Sequence, residues 1–224
     1  MYNELIESKK VVLEIIQKHL DNKKQFKMKK VLSLIHSRLK LMDININQNG
    51  IENILKTLIK RNCIMEGSSI SKNNILNNDK RKDIYEHILD YPGSFFNEIK
   101  RNLNICTQVL IWHINMLVKF KLIKKKMLEN HVIYYSSYIR HTKAEKHHYI
   151  RKCIDVIDLL KNNNKGFSKT GLAEELNMHY NTLKKYIEKL EDYSLLVKKQ
   201  KSRNVVYFLN LIEYDKVKYE FNLK

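Results

Sequence analysis

The chain is poor in the residues that interrupt regular helices, with 5 glycines and 1 proline among its 224 residues. Glycine and proline disfavour helix interiors, whereas the abundant leucine, lysine and glutamate favour them. Hydrophobic residues make up 43% of the chain, which is enough to form buried cores. A globally disordered chain is therefore excluded, and a helix-rich fold is predicted.

Cysteine is also scarce, and its 3 copies are scattered at Cys63, Cys106 and Cys153. None of them forms a CxxC pair, so neither a structural zinc site nor a disulfide framework is supported. A free cysteine behaves as a small apolar side chain. We therefore predict that these cysteines lie in the core.

Acidic residues are in the minority: 24 Asp and Glu against 42 Lys and Arg give a formal charge of +18. This excess predicts a polyanionic partner, because each neutralised phosphate releases counterions. An anionic membrane is the main alternative to nucleic acid, but no segment reaches the roughly 18–20 apolar residues that span a bilayer. The N-terminal MYNELIESKK carries acidic residues and does not resemble a signal peptide. We expect a cytoplasmic protein with no membrane partner.

The familiar motifs of enzymes are missing as well. The chain has no glycine-rich phosphate loop, no nucleophile elbow and no HExxH motif, so no catalytic residues are predicted. His141, His147 and His148 cluster in the hydrophilic stretch RHTKAEKHHY, without cysteine or carboxylate at metal-ligand spacing. We predict no metal and no cofactor, and we expect protonation of these histidines to add to nucleic-acid affinity at mildly acid pH.

An internal repeat appears when the chain is compared with itself. From Phe95 onward, the apolar skeleton recurs 73 residues later over about forty residues, as when Leu110 matches Leu183 and Ile114 matches Ile187. Upstream the spacing is 71, because the second copy has a loop that is two residues longer. Insertions belong in loops, which supports the repeat.

The pattern of the first copy, residues 79–140, predicts three helices and a two-stranded ribbon. Asp79 caps a helix that runs to Asp90, Ser94 opens a second helix, and Thr107 caps a third that ends near Phe120. A charged hairpin and the alternating strand VIYYSS follow. The side chains expected to face inward include Ile84, Ile88, Leu89, Ile99, Leu103, Leu110, Ile114, Leu117 and Val118.

The second copy, residues 146–212, repeats this order, with helices expected over His148–Asn162 and Tyr180–Tyr193. Ser168 or Thr170 caps the helix between them, and residues 213–224 form a C-terminal extension. Residues 1–76 make a divergent third copy at a spacing of 59, in which Gly50–Arg61 is the third helix and no convincing ribbon follows.

Residues 79–138 resemble the winged helix-turn-helix domains of prokaryotic regulators, particularly archaeal members of the ArsR/MarR-like group. The string ICTQVLIWHI at 105–114 carries this resemblance, together with Leu117, Leu122-Ile123 and Tyr134-Tyr135. Residues 146–210 are similar, with Lys185 where the first copy has Trp112. The resemblance implies a mainly α fold with small β-ribbons, arranged as tandem winged helix-turn-helix domains that bind DNA.

A helix fits the major groove, where polar side chains near its N-terminus reach base edges. The candidate reading residues are Thr107, Gln108, Ile111 and Trp112 in the first copy, and His179, Tyr180, Asn181, Lys184 and Lys185 in the second. Trp112 is the least favoured of these candidates, since an aromatic side chain near the core face more often packs against the core than contacts base edges. The ribbons suit backbone or minor-groove contact through Lys124, Lys125, Lys126, Lys198, Lys199, Lys201 and Arg203.

Three functions remain open, and the favoured one is a sequence-specific transcriptional regulator that binds double-stranded DNA. Tandem winged helices also build protein–protein scaffold subunits, but a scaffold has no need of a charge of +18, and its exposed third helix would be apolar or acidic. Plasmid or virus replication initiators are the other alternative. The sequence leaves open whether the protein forms a homodimer.

Overall fold

The computed structural model describes residues 2–22, 24–201 and 204–221, and the side chains of residues 8–22, 24–200 and 204–221. The fold is mainly α with small antiparallel β-ribbons, which confirms the predicted class. The helices are α1 Tyr2–Asp21, α2 Met28–Leu41, α3 Gln48–Lys60, α4 Asp79–Asp90, α5 Phe96–Asn102, α6 Thr107–Lys119, α7 His141–Lys152, α8 Ile154–Lys161, α9 Lys169–Glu175, α10 Tyr180–Asp192 and α11 Leu211–Phe221. The strands are β1 Ser94–Phe95, β2 Ile123–Leu128, β3 His131–Ser136, β4 Leu196–Lys201 and β5 Asn204–Leu209.

Contacts group the chain into two compact units. The first contains Met1–Tyr85 and Leu103–Lys124, and the second contains Glu86–Asn102 and Lys125–Lys224. This grouping cuts through residues 79–140, which carry the first copy of the repeat. The predicted domain boundaries therefore stay predictions.

The internal repeat is confirmed by the bounds of the elements. α5, α6, β2 and β3 begin and end 73 residues before α9, α10, β4 and β5. The turn before the third helix has a positive φ at Asn104 (49°) and Asn177 (46°), and the turn after it at Lys121 (55°) and Ser194 (59°). α4 ends at residue 90 and α8 at residue 161, so the longer loop of the second copy lies where it was predicted.

Each copy contains an additional short β pairing that was not predicted. Ser94 pairs with Tyr134, which makes the first sheet three-stranded in the order β1-β3-β2. At a shift of 73, Phe167 forms an isolated bridge with Tyr207. The prediction that Ser94 opens the second helix was wrong, because its backbone belongs to the sheet and α5 begins at Phe96.

The capping residues differ from the prediction by one position at two helices. Asn78, not Asp79, caps α4, since its Oδ1 accepts a hydrogen bond from the amide of Arg81 at 3.1 Å. Thr107 is the first residue of α6, and Cys106 before it makes no side-chain cap. At α9 the predicted cap was Ser168 or Thr170, and Ser168 is confirmed, because its Oγ accepts a hydrogen bond from the Gly171 amide at 3.1 Å.

The core of the second copy is a continuous cluster. α10 contributes Leu183, Ile187 and Leu190 to this cluster, and α11 contributes Tyr214 and Phe221. The predicted C-terminal extension is therefore a helix that begins at residue 211 and packs into the core. Residues 222–224 lie outside the described part of the chain.

The segment that joins the two copies differs from its prediction. The helix predicted over 148–162 begins earlier and is interrupted at Cys153, giving α7 and α8. His147 and His148 are buried, although the sequence around them is hydrophilic, and 1% and 4% of their surfaces are exposed. Desolvation lowers the pKa of both to about 4. They are therefore neutral at mildly acid pH, so the expectation that they add positive charge there was wrong.

Two predictions about buried side chains also need correction. Leu89 was expected to face inward, but it is exposed, and His87 is buried on α4 instead. Of the cysteines, Cys153 is buried and Cys63 is half-buried, whereas Cys106 is exposed. The predicted inward residues Leu110, Ile114 and Leu117 are buried.

The N-terminal segment shares the third helix of the repeat but has no ribbon. α3 begins and ends 59 residues before α6, and Asn62 has a positive φ of 56° where α6 is followed by Lys121. The described stretch 61–78 contains no strand. No helix in the described part of the chain combines the length and the apolar character that a bilayer crossing requires.

Candidate nucleic-acid interface

The helix α10 has one buried and one exposed face, as its helical period dictates. Leu183, Ile187 and Leu190 are buried. Four predicted site residues of this helix are exposed: Tyr180, Asn181, Lys184 and Lys185. α10 thus presents amide and ammonium groups to solvent from its first two turns.

His179 fixes the start of this helix. Its Nδ1 accepts a hydrogen bond from the amide of Asn181 at 3.3 Å, so the side chain acts as the N-cap of α10. The imidazole is exposed. This cap keeps Asn181 in the first turn, where the free backbone N–H groups and the helix dipole favour a nearby phosphate.

The ribbon β4–β5 presents the basic side chains of the second copy. Lys199 is exposed, and its Nζ lies 5.2 Å from the ring centroid of Phe208. Lys198 is exposed too, but forms an ion pair with Glu191 at 3.2 Å. The backbone of Lys201 pairs with Asn204, while the side chain of Lys201 and the whole of Arg203 lie outside the described residues.

The corresponding helix of the first copy, α6, has a different exposed face. Gln108 is exposed and Thr107 is half-buried. Ile111 and Trp112 are 46% and 51% exposed, so this face adds two large apolar side chains to polar ones such as Asn115. Trp112 packs against Arg81, whose guanidinium carbon lies 5.0 Å from the ring centroid.

The ribbon of the first copy carries exposed Lys124, Lys125 and Lys126, as predicted, and also an acidic residue that was missed. Glu129 lies in the turn between β2 and β3, with a φ of 54°. Its Oε2 lies 2.6 Å from Lys185 Nζ, and the hydroxyl of Tyr149 donates to its Oε1. These two hydrogen bonds lower the pKa of Glu129 below its usual value, so the carboxylate is ionised.

The structure therefore brings together residues from both copies within the second compact unit: Glu129 of the first ribbon meets Lys185 on the exposed face of α10. The only sequence signal for Glu129 is a single acidic residue within the basic hairpin KKKMLENH. In the described part of the chain, no three His, Cys, Asp or Glu side chains are grouped closely enough to hold a metal ion.

No family model matches the chain. The chain is 30% identical over 152 residues to a protein of Methanocaldococcus jannaschii named as an uncharacterised HTH-type (helix-turn-helix-type) transcriptional regulator. The match covers 63% of this chain and 36% of the relative. The chain thus spans little more than a third of the curated relative that it matches.

Proposed function

We propose that the protein is a sequence-specific regulator of transcription that binds double-stranded DNA through tandem winged helix-turn-helix domains of the ArsR/MarR-like type. The observation that carries this proposal is that α10 exposes Asn181, Lys184 and Lys185 to solvent while its apolar side chains are buried. The name of the archaeal relative supports the same function. The proposed activity is binding without a catalytic step, and a cytoplasmic location follows from it.

The chemistry of this face suits the major groove. An asparagine amide pairs with the N6 and N7 edge of adenine, and a lysine ammonium donates to guanine O6 or N7. Asn181 and Lys184 are the proposed readers. The lysines of β4 contact phosphates, which position the protein but carry no sequence information.

The first experiment separates base reading from general attraction. A preferred duplex is selected from random DNA, and each variant is titrated against it and against a scrambled duplex. We expect Asn181→Ala to reduce the discrimination between the two by about 1–3 kcal/mol, the scale of one lost base contact. Asn97→Ala, an exposed change on α5, is the control and should leave the ratio intact. An unchanged ratio for Asn181→Ala would make Gln108 of α6 the better candidate.

A salt series tests the role of the ribbon. Binding should weaken roughly tenfold between 50 and 200 mM salt for every two phosphates contacted. Changing Lys199 and Lys201 to Gln should weaken both duplexes about equally and reduce the salt slope by about two. The pair Lys165→Gln and Lys216→Gln removes the same charge elsewhere and serves as control. Binding that is independent of salt, or absent at low salt, contradicts the proposed function.

A second candidate function, protein–protein contact, is favoured by α6. Ile111 and Trp112 of this helix are apolar and exposed, as expected of a protein-binding surface rather than of a helix that reads bases. A second copy of the chain is the partner proposed for this face. Trp112→Ala should then change the oligomeric state in sedimentation while DNA affinity per chain is retained, whereas a loss of affinity by the monomer assigns α6 to DNA.

A further inference from the structure

The tip of the β2–β3 ribbon places an acceptor beside a donor on the exposed face of α10. The Glu129 carboxylate and the Lys185 ammonium are 2.6 Å apart, with their side chains 43% and 47% exposed. Neither group is enclosed, so both keep hydrogen-bonding capacity for a ligand. An ionised carboxylate only accepts hydrogen bonds, and an ammonium only donates them.

The carboxylate is held in place from behind. Tyr149 of α7 is 4% exposed, and its hydroxyl donates to Glu129 Oε1. The ring of Tyr149 packs under Lys189 of α10, whose Nζ lies 5.1 Å from the ring centroid. A buried tyrosine thus orients Glu129 toward α10, which is more than an exposed ion pair alone would achieve, because such pairs are weak.

A neighbouring donor and acceptor match one base pair in the major groove. Guanine presents O6 and N7 as acceptors, and its partner cytosine presents the N4 amino group as a donor. A lysine ammonium donates to guanine O6 or N7, and a glutamate carboxylate accepts from cytosine N4. The guanine O6 and cytosine N4 atoms are themselves joined by a hydrogen bond, so their spacing resembles the 2.6 Å between Lys185 Nζ and Glu129 Oε2.

We infer that Glu129 and Lys185 together read one G·C pair, with Lys185 donating to guanine and Glu129 accepting from cytosine N4. This inference rests on the proposed function. It makes Glu129 a specificity-determining residue that the first copy contributes to the reading helix of the second. Tyr149 is a positioning residue, since it acts through Glu129.

The test is selection from random duplex DNA, performed in parallel with the wild type and with Glu129→Ala. We expect one G·C position of the wild-type site to lose its preference in the variant. Titration with each base pair at that position should show discrimination reduced about five- to tenfold. Affinity for a scrambled duplex should not fall, because the change removes a negative charge near phosphates.

Two further variants and one control make the outcome decisive. Lys185→Ala should lose preference at the same position, and adding Glu129→Ala to it should cost little more, because the two groups act as a unit. Tyr149→Phe should weaken that position and no other. Glu213→Ala removes an acid that makes an equally short ion pair with Lys216 on α11, and should leave every position unchanged.

The possible failures are distinguishable. If the wild type enriches no sequence, the proposed function is wrong. If the wild type selects a site and Glu129→Ala selects the same one, the function stands and this inference is wrong. If Glu129→Ala raises the affinity for both duplexes equally, Glu129 merely restrains Lys185 and the reading role is likewise overturned.

Discussion

Replacing Leu190 with Ala is expected to destabilise the protein by about 2–5 kcal/mol, because the smaller side chain leaves a cavity in a packed core. Leu190 is fully buried and lies in the cluster that includes Leu183 and Ile187 of the same helix. Leu117→Ala should cost a similar amount, since Leu117 is the equivalent residue of α6 and is equally buried. Denaturant unfolding followed by circular dichroism measures both losses.

Leu211→Ala is the matched control for these two variants. Leu211 begins α11 and is 55% exposed, so its truncation should change the free energy of unfolding by less than about 0.5 kcal/mol. A loss below about 1 kcal/mol for Leu117→Ala or Leu190→Ala would contradict the assignment of that side chain to the core.

Gly93→Ala is expected to destabilise the protein by about 2–5 kcal/mol, through two separate effects. Gly93 has a φ of 84°, which strains any residue with a Cβ atom. A Cβ there would also overlap the carbonyl oxygen of Ala144 and lie 2.9 Å from His148 Cβ, both on α7. Backbone and Cβ atoms cannot rotate away, so α7 would have to move. Thermal unfolding of the variant measures the loss.

Two other glycines separate the strain from the overlap. Gly67 has a φ of 73° with no atom near its absent Cβ, so Gly67→Ala should cost only the conformational strain of about 1–2 kcal/mol. At Gly166, which repeats Gly93, the Cβ would meet the side chains of Val206 and Phe208, which can adjust. The expected order of destabilisation is Gly93, Gly166, Gly67. If Gly93→Ala destabilised the protein no more than Gly67→Ala, α7 would not be in close contact with the turn at Gly93.

The repeat was predictable because buried side chains must recur with the period of the helix. The apolar positions of α6 and α10 therefore revealed the 73-residue shift that the element bounds now confirm. The two-residue strand β1 was missed because it is too short for alternation to show. The choice between Asn78 and Asp79 as the cap of α4 was ambiguous, since both residue types cap helices well.

The exposed face of α10 could likewise be located from its apolar period, but the partner of Lys185 could not. Glu129 is 56 residues away in the sequence, and it contacts Lys185 only because the turn between β2 and β3 lies next to α10 in the fold. The burial of His147 and His148 was hidden for a related reason. Their neighbours in the sequence are charged, whereas their partners, such as Pro92 and Phe95, come from the first copy.

The shared bounds of α6 and α10 have a consequence for how such a chain can change. The two helices keep the same length, three equivalent buried apolar positions and the same flanking turns. Yet α6 exposes Ile111 and Trp112 where α10 exposes Lys184 and Lys185. Folding depends on the inner positions, and binding depends on the outer ones. Substitution of exposed residues in one copy can therefore change what that copy binds without disturbing the core of either copy.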